Sequence, residues 1–160
     1  MFIGHLPGAY LLVRPFSERL PAALFPAAMV GSVLPDIDLL AFYFVDNRAH
    51  HHHDYLTHRP ILWAGMLLAG LALRRWRPGA VLAGLGLGGL IHMALDSIAG
   101  KIAWAWPLSD FARPLVAVPA TRSHWILSFL IHWTFLVEIA VCLAAAAMFL
   151  WLRQRNRRPA

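Results

Sequence analysis

The sequence has few charged residues and a single cysteine. Only 14% of its 160 residues are charged and 59% are hydrophobic, whereas a soluble domain has about 25% charged and about 45–50% apolar residues. This composition excludes a soluble globule and a disordered segment, and the chain is too long for a single anchor, so we predict one compact membrane domain. The lone Cys142 excludes an intramolecular disulfide framework and a thiolate zinc cluster.

Basic residues outnumber acidic ones, giving a net charge of +6, but their distribution is not typical of a nucleic-acid-binding surface. They form short groups between apolar runs, as the positive-inside rule produces in membrane proteins. No basic region precedes the first apolar stretch, so we expect no removable signal peptide. We predict an integral membrane protein without a nucleic-acid partner. The basic groups are Arg14 and Arg19; Arg74, Arg75 and Arg77; and Arg153, Arg155, Arg157 and Arg158.

Apolar stretches predict an all-α, polytopic helical membrane bundle with about four transmembrane helices. A further stretch, Phe2–Val13, is too short to cross alone and is expected to form a half-span or an interfacial helix. We assign residues 1–152 to a single membrane-embedded domain and residues 153–160 to a basic cytoplasmic tail. The four predicted spans are Leu20–Leu34, Ile61–Leu73, Ala80–Ile98 and Trp125–Leu152.

The basic groups also predict an orientation. With the tail in the cytoplasm, four alternating spans place nine of the 14 Lys and Arg residues on the cytoplasmic side. Six of the eight acidic residues then lie at or near the other face, with the polar segments 35–59 and 99–124. We therefore predict a multi-pass membrane protein with a cytoplasmic C-terminus and a functional site at the outer face.

His92 and Asp96 are four residues apart and therefore share one helical face. Steps of four back along the helix reach Gly88, Gly84 and Ala80, small residues that let another helix approach closely. We expect this stripe to face the bundle interior and to carry His92 and Asp96 with it. Ionisable residues inside a span favour a functional role; the alternative is a hydrogen-bonded pair that only fastens helices.

Two acidic residues, Asp36 and Asp38, follow Pro35. In an extended backbone they would point the same way, whereas in a helix they would lie roughly 200° apart. We expect that one binds a metal ion while the other orients a histidine ligand. A capped helix end with solvated acids is the alternative.

The segment 50–58 contains five histidines: His50, His51, His52, His53 and His58. Neutral imidazole suits zinc, copper, iron and nickel, but four adjacent histidines cannot all face one ion. Taken alone, the segment is equally compatible with a wet loop that binds metal adventitiously. The predicted topology places it at the same face as the two preceding motifs. Together they predict a centre of nitrogen and oxygen ligands for two or more divalent metal ions, whose identity the residues leave open.

The order of these motifs resembles the YdjM-like family of inner-membrane metal-dependent hydrolases. That family is distantly similar to the zinc-dependent phospholipase C and single-strand nuclease group, which are all-helical enzymes with clustered metals. The resemblance runs from residue 4 to about 108. The matching segments are Gly4-His5, Leu34-Pro35-Asp36-Ile37-Asp38, His53 with Thr57-His58, Leu90-Ile91-His92-Met93-Ala94-Leu95-Asp96, and Trp106-Pro107.

The resemblance implies a divalent metal site made from several of these segments, with zinc as the expected metal. Asp36 and Asp38 are the expected catalytic residues, each acting as ligand or base. His5 reaches such a site only if the N-terminal segment returns to the outer face, with a bend near Arg14-Pro15. The implied metal ligands are His5, Asp36, Asp38, His53, His58, His92 and Asp96.

The sequence departs from the family pattern at two positions in the third motif. Asp54 stands where an arginine commonly follows the first histidine, and Arg59 stands where a serine follows the second. A phosphate-binding role for that arginine therefore does not transfer to this chain. Arg59, Arg113 and Arg122 are the candidates to hold an anionic headgroup.

These inferences predict a membrane-embedded hydrolase that cleaves a phosphoester in a lipid or lipid-linked substrate at the outer face. The resemblance implies that the membrane is the bacterial inner membrane, so that this face is the periplasmic one. The phosphoester preference comes from the resemblance. One alternative is a metal-ion carrier or sensor that uses the same ligands without turnover. It predicts further polar sites inside the last span, at His132 and Glu138. For Glu138, a neutral or paired helix-packing role is the favoured interpretation. A small helical scaffold with incidental polar clusters is the third hypothesis.

Overall fold

The structure, a computed structural model, describes residues 3–157, and within them it is helical with no strand, as predicted. Residue 1, residue 2 of the predicted half-span and residues 158–160 of the predicted tail lie outside the described residues. Short 3-10 helices cover Arg14–Arg19, Leu34–Ile37, His52–Asp54 and Leu56–His58, and segment 97–124 is irregular. The α-helices are α1 (His5–Val13), α2 (Leu24–Gly31), α3 (Asp38–Phe44), α4 (Pro60–Ala72), α5 (Arg77–Asp96), α6 (Trp125–Leu130) and α7 (Trp133–Arg155).

The structure supports two or three membrane spans rather than the four predicted. Helices α5 and α7 are long and apolar enough to cross a membrane. Helix α2 and the helical segment 34–44 make a third span if the pair, bent by 45°, is counted as one. Helix α4 has 13 residues, which reach about 20 Å against a hydrocarbon core of about 30 Å. Hydrophobicity predicted where the apolar segments lie, but the positions at which the helices end determine how long each helix is.

The predicted span Trp125–Leu152 is divided at His132. The Nδ1 atom of His132 accepts a hydrogen bond from the backbone N–H of Thr134 at 3.4 Å and so caps α7. Helix α7 then continues to Arg155 and takes in the first residues of the predicted tail. His132 thus lies at a helix start, whereas Glu138 lies within α7.

Helix α5 packs against both α2 and α4, and α1 packs against α5 and α7. A Cβ atom on Gly88 would lie 2.1 Å from the carbonyl oxygen of Ala28, and one on Gly84 would lie 2.4 Å from that of Leu24. Only glycine allows the α2 backbone to come this close. The expected helix contact along the small-residue stripe is therefore confirmed.

The helix directions separate a basic end of the bundle from a polar end. Helix α5 runs 20 residues from Arg77 to Asp96, about 30 Å. His5, at the start of α1, contacts Asp96, whereas Val13, at the end of α1, packs with Leu24 at the start of α2. The His and Asp motifs therefore gather at the end of the bundle opposite Arg77.

Gly88→Ala should destabilise the fold by about 1–3 kcal/mol, because the added methyl group overlaps the α2 backbone, which cannot move aside as a flexible side chain would. Gly65→Ala is the matched control, since a Cβ atom there has no neighbour within 4 Å. Thermal unfolding in detergent, followed by circular dichroism, should show a lower midpoint for Gly88→Ala alone. Equal midpoints for the two variants would contradict the packing described here.

Candidate metal centre

Separate segments of the chain bring the predicted ligands together at one end of the bundle. The segments are helix starts, helix ends and short 3-10 helices. All of these residues are buried except Asp36, which is partly exposed. The residues are His5 at the start of α1, Asp36 in the 3-10 helix after α2, Asp38 at the start of α3, His53 and His58 before α4, and His92 and Asp96 near the end of α5.

The carboxylate of Asp96 lies at the centre of this cluster. Its Oδ1 atom is 3.0 Å from His5 Nε2, and its Oδ2 atom is 3.1 Å from His92 Nε2. The Nε2 atoms of His53 and His58 are 3.4 Å and 3.5 Å from the same Oδ2. The His5 ring also stacks on that of His92, with centroids 3.7 Å apart. Four imidazoles therefore surround one buried carboxylate.

Asp36 completes the cluster on its more exposed side. Its Oδ1 atom is 3.7 Å from His92 Nε2 and 3.8 Å from His58 Nε2, and its Oδ2 atom is 3.6 Å from His5 Nδ1. The Asp36 side chain is 31% exposed, whereas the three imidazoles are buried. The cluster is therefore open to solvent on the Asp36 side.

Asp38 holds a histidine in place. Its Oδ2 atom accepts hydrogen bonds from His58 Nδ1 and, at 2.6 Å, from Thr57 Oγ1. The backbone is helical at both Asp36 and Asp38, so the two carboxylates point in different directions. Asp36 faces His5, His58 and His92, and Asp38 orients His58. This is the arrangement expected if one acid binds a metal ion and the other orients a histidine ligand. Catalytic roles for the two acids stay predictions.

Hydrogen bonds on the outer sides of two imidazoles determine which ring nitrogen faces the cluster. His92 Nδ1 donates to the carbonyl oxygen of Ser32 at 2.8 Å, and His58 Nδ1 donates to Asp38. Because a carbonyl and a carboxylate only accept, the Nε2 atom of each neutral ring carries a lone pair. These two Nε2 atoms are 3.3 Å apart. The arrangement requires a proton or a metal cation between them.

The distances within the cluster fit a divalent metal ion. Zinc bonds of about 2.0–2.2 Å in tetrahedral geometry place ligand atoms about 3.4 Å apart, close to the 3.0–3.8 Å between the carboxylate oxygens and imidazole nitrogens here. Buried His and Asp groups of this kind can hold a metal ion. The candidate groups facing the cluster are His5, His92 and Asp96; Asp36, His58 and His92; and His53, His58 and Asp96.

The pKa values of His58 and His52, which lie close together before α4, shift in opposite directions. Burial opposes protonation of His58, but hydrogen bonds to Asp38 and Asp96 prevail and raise its pKa to about 9. Burial, followed by the adjacent His53, lowers the pKa of His52 to about 2. At neutral pH, His58 therefore attracts a proton or another cation, whereas His52 stays neutral.

Glu138 connects α7 to the cluster through α1. The sequence favoured a helix-packing role for this residue but did not identify its partner. Its Oε2 atom accepts hydrogen bonds from the backbone N–H groups of Ile3 at 2.7 Å and Gly4 at 3.1 Å, and its side chain is fully buried. These groups precede the first turn of α1, which has no cap from its own side chains. Glu138 therefore fixes the segment that carries His5. An acidic residue inside an apolar helix was the available signal.

The three arginines predicted to bind substrate differ in their positions. Arg59 directly follows His58, donates a hydrogen bond to the carbonyl oxygen of Asp54 at 2.9 Å, and lies 5.6 Å from the ring centre of Trp106. Arg113 and Arg122 are exposed in the segment between α5 and α6. Within residues 3–157, no hydrogen bond or ion pair joins either of them to the cluster.

The whole described chain, from the His and Asp cluster to α7, matches the family described as YdjM inner membrane protein, over residues 1–158. The chain belongs to this family. Because the match continues beyond residue 108, where the motifs end, α7 is part of the YdjM family architecture. No curated protein and no solved structure is significantly similar to the chain. The family assignment agrees with the apolar helices α5 and α7 in indicating an inner-membrane protein.

Asp96→Asn should remove tight metal binding from this YdjM family protein, because the carboxylate among four imidazoles loses its charge. The purified wild type should retain at least about one divalent ion per chain. Asp110→Asn, which changes an exposed acid in the irregular segment, is the matched control and should leave metal content unchanged. Elemental analysis after dialysis measures both. Equal metal content in Asp96→Asn and the wild type would count against the cluster as a metal site.

Glu138→Ala should weaken metal binding by about 10–100-fold, the usual cost of losing a group that supports a ligand. Glu138 touches the segment before His5, so the effect acts through the position of α1. Glu138→Gln keeps an acceptor oxygen and should retain most of the affinity. Competition with a chelator measures the dissociation constants. Wild-type affinity in Glu138→Ala would contradict the positioning role.

Proposed function

We propose that the protein is a metal-dependent phosphoesterase of the inner membrane that acts on a lipid or lipid-linked phosphate at the periplasmic surface. The observation that carries the proposal is the convergence of four imidazoles on Asp96, with a partly exposed Asp36 beside them. Structural polar pairs in a bundle rarely gather so many metal-binding groups, and ionisable residues within spans tend to be functional.

Zinc is the proposed metal, because its preferred nitrogen and oxygen ligands are those of the cluster and no thiolate adjoins them among the described residues. The proposed ligands are His5, His53, His58, His92, Asp36 and Asp96. A bound divalent cation supplies Lewis acidity, which polarises a phosphoester and makes a water molecule acidic enough to ionise near neutral pH.

The protein groups divide the remaining tasks. Asp36 is the most exposed acid of the cluster, and its carboxylate is the proposed acceptor of the proton from the attacking water. Asp38 keeps the Nε2 atom of His58 directed at the cluster by holding its Nδ1 proton. The Ser32 carbonyl does the same for His92.

The loop after α5 supports a lipid substrate. It returns to the end of α5, where backbone N–H groups of Leu115 and Val116 donate to the carbonyl oxygens of Ser97 and Ile98, both at 2.8 Å. The loop exposes large apolar side chains, and such a patch beside a site is typical of membrane or ligand contact. Arg59, held beside Trp106, is the proposed contact for the phosphate group. The exposed apolar side chains are Trp104, Leu108, Phe111 and Leu115.

The proposed orientation follows from the positions of the arginines. Helix α5 begins at Arg77, and α7 ends at Arg155, so the basic ends of both candidate spans belong on the same cytoplasmic side. The cluster, at the other end of α5, then faces the periplasm, and the C-terminus lies in the cytoplasm.

A metal carrier or sensor is the competing function, but the two further metal-binding residues that it predicts, His132 and Glu138, have structural roles. His132 caps α7, and Glu138 accepts hydrogen bonds from the segment before α1. All other candidate ligands lie at one end of the bundle rather than along a path through it. These contacts favour a site at one surface over a pathway.

Asp36→Asn should lower kcat/KM by about 100-fold or more, the usual contribution of a general base, while His5, His92 and Asp96 still retain metal. Proteoliposomes loaded with zinc and a panel of phospholipids and lipid-linked phosphates provide the assay, with release of phosphate or headgroup as the readout. Asp110→Asn should match the wild type. Stoichiometric metal with no turnover on any phosphorylated lipid would contradict the enzyme proposal and favour the carrier.

A further inference from the structure

A cleft of about 710 Å³ lies at the end of the bundle opposite the metal cluster. On one side is segment 21–23, just before α2, and on the other is the turn that joins α4 to α5. Its walls include small and apolar residues together with three arginines. The arginines are Arg74, Arg75 and Arg77.

The turn holds these arginines in a defined position. A Cβ atom on Gly79 would lie 2.1 Å from the carbonyl oxygen of Leu73, so the chain folds tightly between α4 and α5. The backbone N–H of Trp76 donates to the carbonyl of Leu73 at 2.9 Å, and that of Gly79 donates to Trp76 at 3.0 Å. The arginine side chains are therefore mounted on a short, hydrogen-bonded turn rather than on a free tail.

The charges of the three guanidinium groups are not compensated within residues 3–157. None of them forms an ion pair with an acid there, although all three lie within four consecutive residues. The cleft also adjoins the start of α5, which carries the positive end of the helix dipole. An anion with several oxygen atoms, such as a phosphate, matches both features, because one guanidinium group can donate two parallel hydrogen bonds to two such oxygens.

The remaining features of the cleft indicate a lipid rather than a free anion. Trp76 is 67% exposed beside the arginines, and exposed tryptophans of membrane proteins sit at the headgroup level. Ala80 and Val81, near the start of the candidate span α5, give the cleft an apolar wall. Basic pockets between helices on the cytoplasmic side are a known type of lipid headgroup site.

We propose that this cleft binds the phosphate group of an anionic phospholipid in the cytoplasmic leaflet. The lipid is a structural ligand about 30 Å, the length of α5, from the metal cluster, so the proposal does not depend on the proposed enzymatic activity. Bound there, it neutralises the arginines and links segment 21–23 to the α4–α5 turn.

Native mass spectrometry of detergent-purified protein, with phosphatidylglycerol or phosphatidylcholine added, tests the proposal. One phosphatidylglycerol should remain bound per chain, and the triple variant Arg74→Gln, Arg75→Gln, Arg77→Gln should weaken its retention at least tenfold. The single variant Arg75→Glu should also weaken the retention of phosphatidylglycerol, and it alters only one exposed side chain. Phosphatidylcholine retained as well as phosphatidylglycerol would overturn the proposal.

The matched control removes the same charge from the basic extension of the chain: Arg153→Gln, Arg155→Gln, Arg157→Gln. It should keep the bound phosphatidylglycerol, because these residues lie outside the cleft. Equal loss in both triple variants would show that only total charge matters and would overturn the site. Displacement of the lipid by equimolar inorganic phosphate would overturn the lipid assignment. Metal content should be unchanged in both variants, which separates this test from that of the metal centre.

Discussion

A carboxylate inside an apolar bundle is stable only where protons or cations balance its charge. Asp96 is 1% exposed, and four imidazole nitrogens lie within 3.5 Å of its oxygen atoms. The histidines that meet this requirement come from α1, from the segment before α4 and from α5, so these three parts of the chain must lie close together. The close contact of α5 with α2 is equally necessary, because it brings the following 3-10 helix, with Asp36, up to the same histidines. The candidate centre and the core of the fold therefore depend on the same contacts.

The sequence predicted those parts of the fold that depend on local patterns. Residues at intervals of four placed His92 and Asp96 on the glycine-rich face of α5, and the apolar composition indicated a helical membrane protein. The number of spans could not be predicted in the same way. Hydrophobicity does not reveal that α4 stops after 13 residues or that His132 interrupts the last apolar stretch by capping a new helix. Such ends depend on individual backbone hydrogen bonds.

The candidate site was predictable in its residue types but not in their division of labour. The spacing of Asp36 and Asp38 left two arrangements open. The helical backbone turns Asp36 towards His58 and His92, and Asp38 towards the outer side of His58. The Ser32 carbonyl that orients His92 is a backbone group with no sequence signature. The contact between Glu138 and Gly4 joins residues 134 positions apart, so no local pattern indicates it. Contacts of this kind arise only from the folded packing of α1 on α7.

The central claim is that histidines from α1, α5 and the loop before α4 bind one metal centre with carboxylates. X-ray absorption spectroscopy of the zinc-loaded protein tests it most directly. The account predicts a first shell of nitrogen and oxygen atoms at about 2.0–2.2 Å, with the outer scattering of several imidazole rings. A sulfur ligand at about 2.3 Å, which only Cys142 or a methionine can supply, or a zinc shell without imidazole, would contradict it.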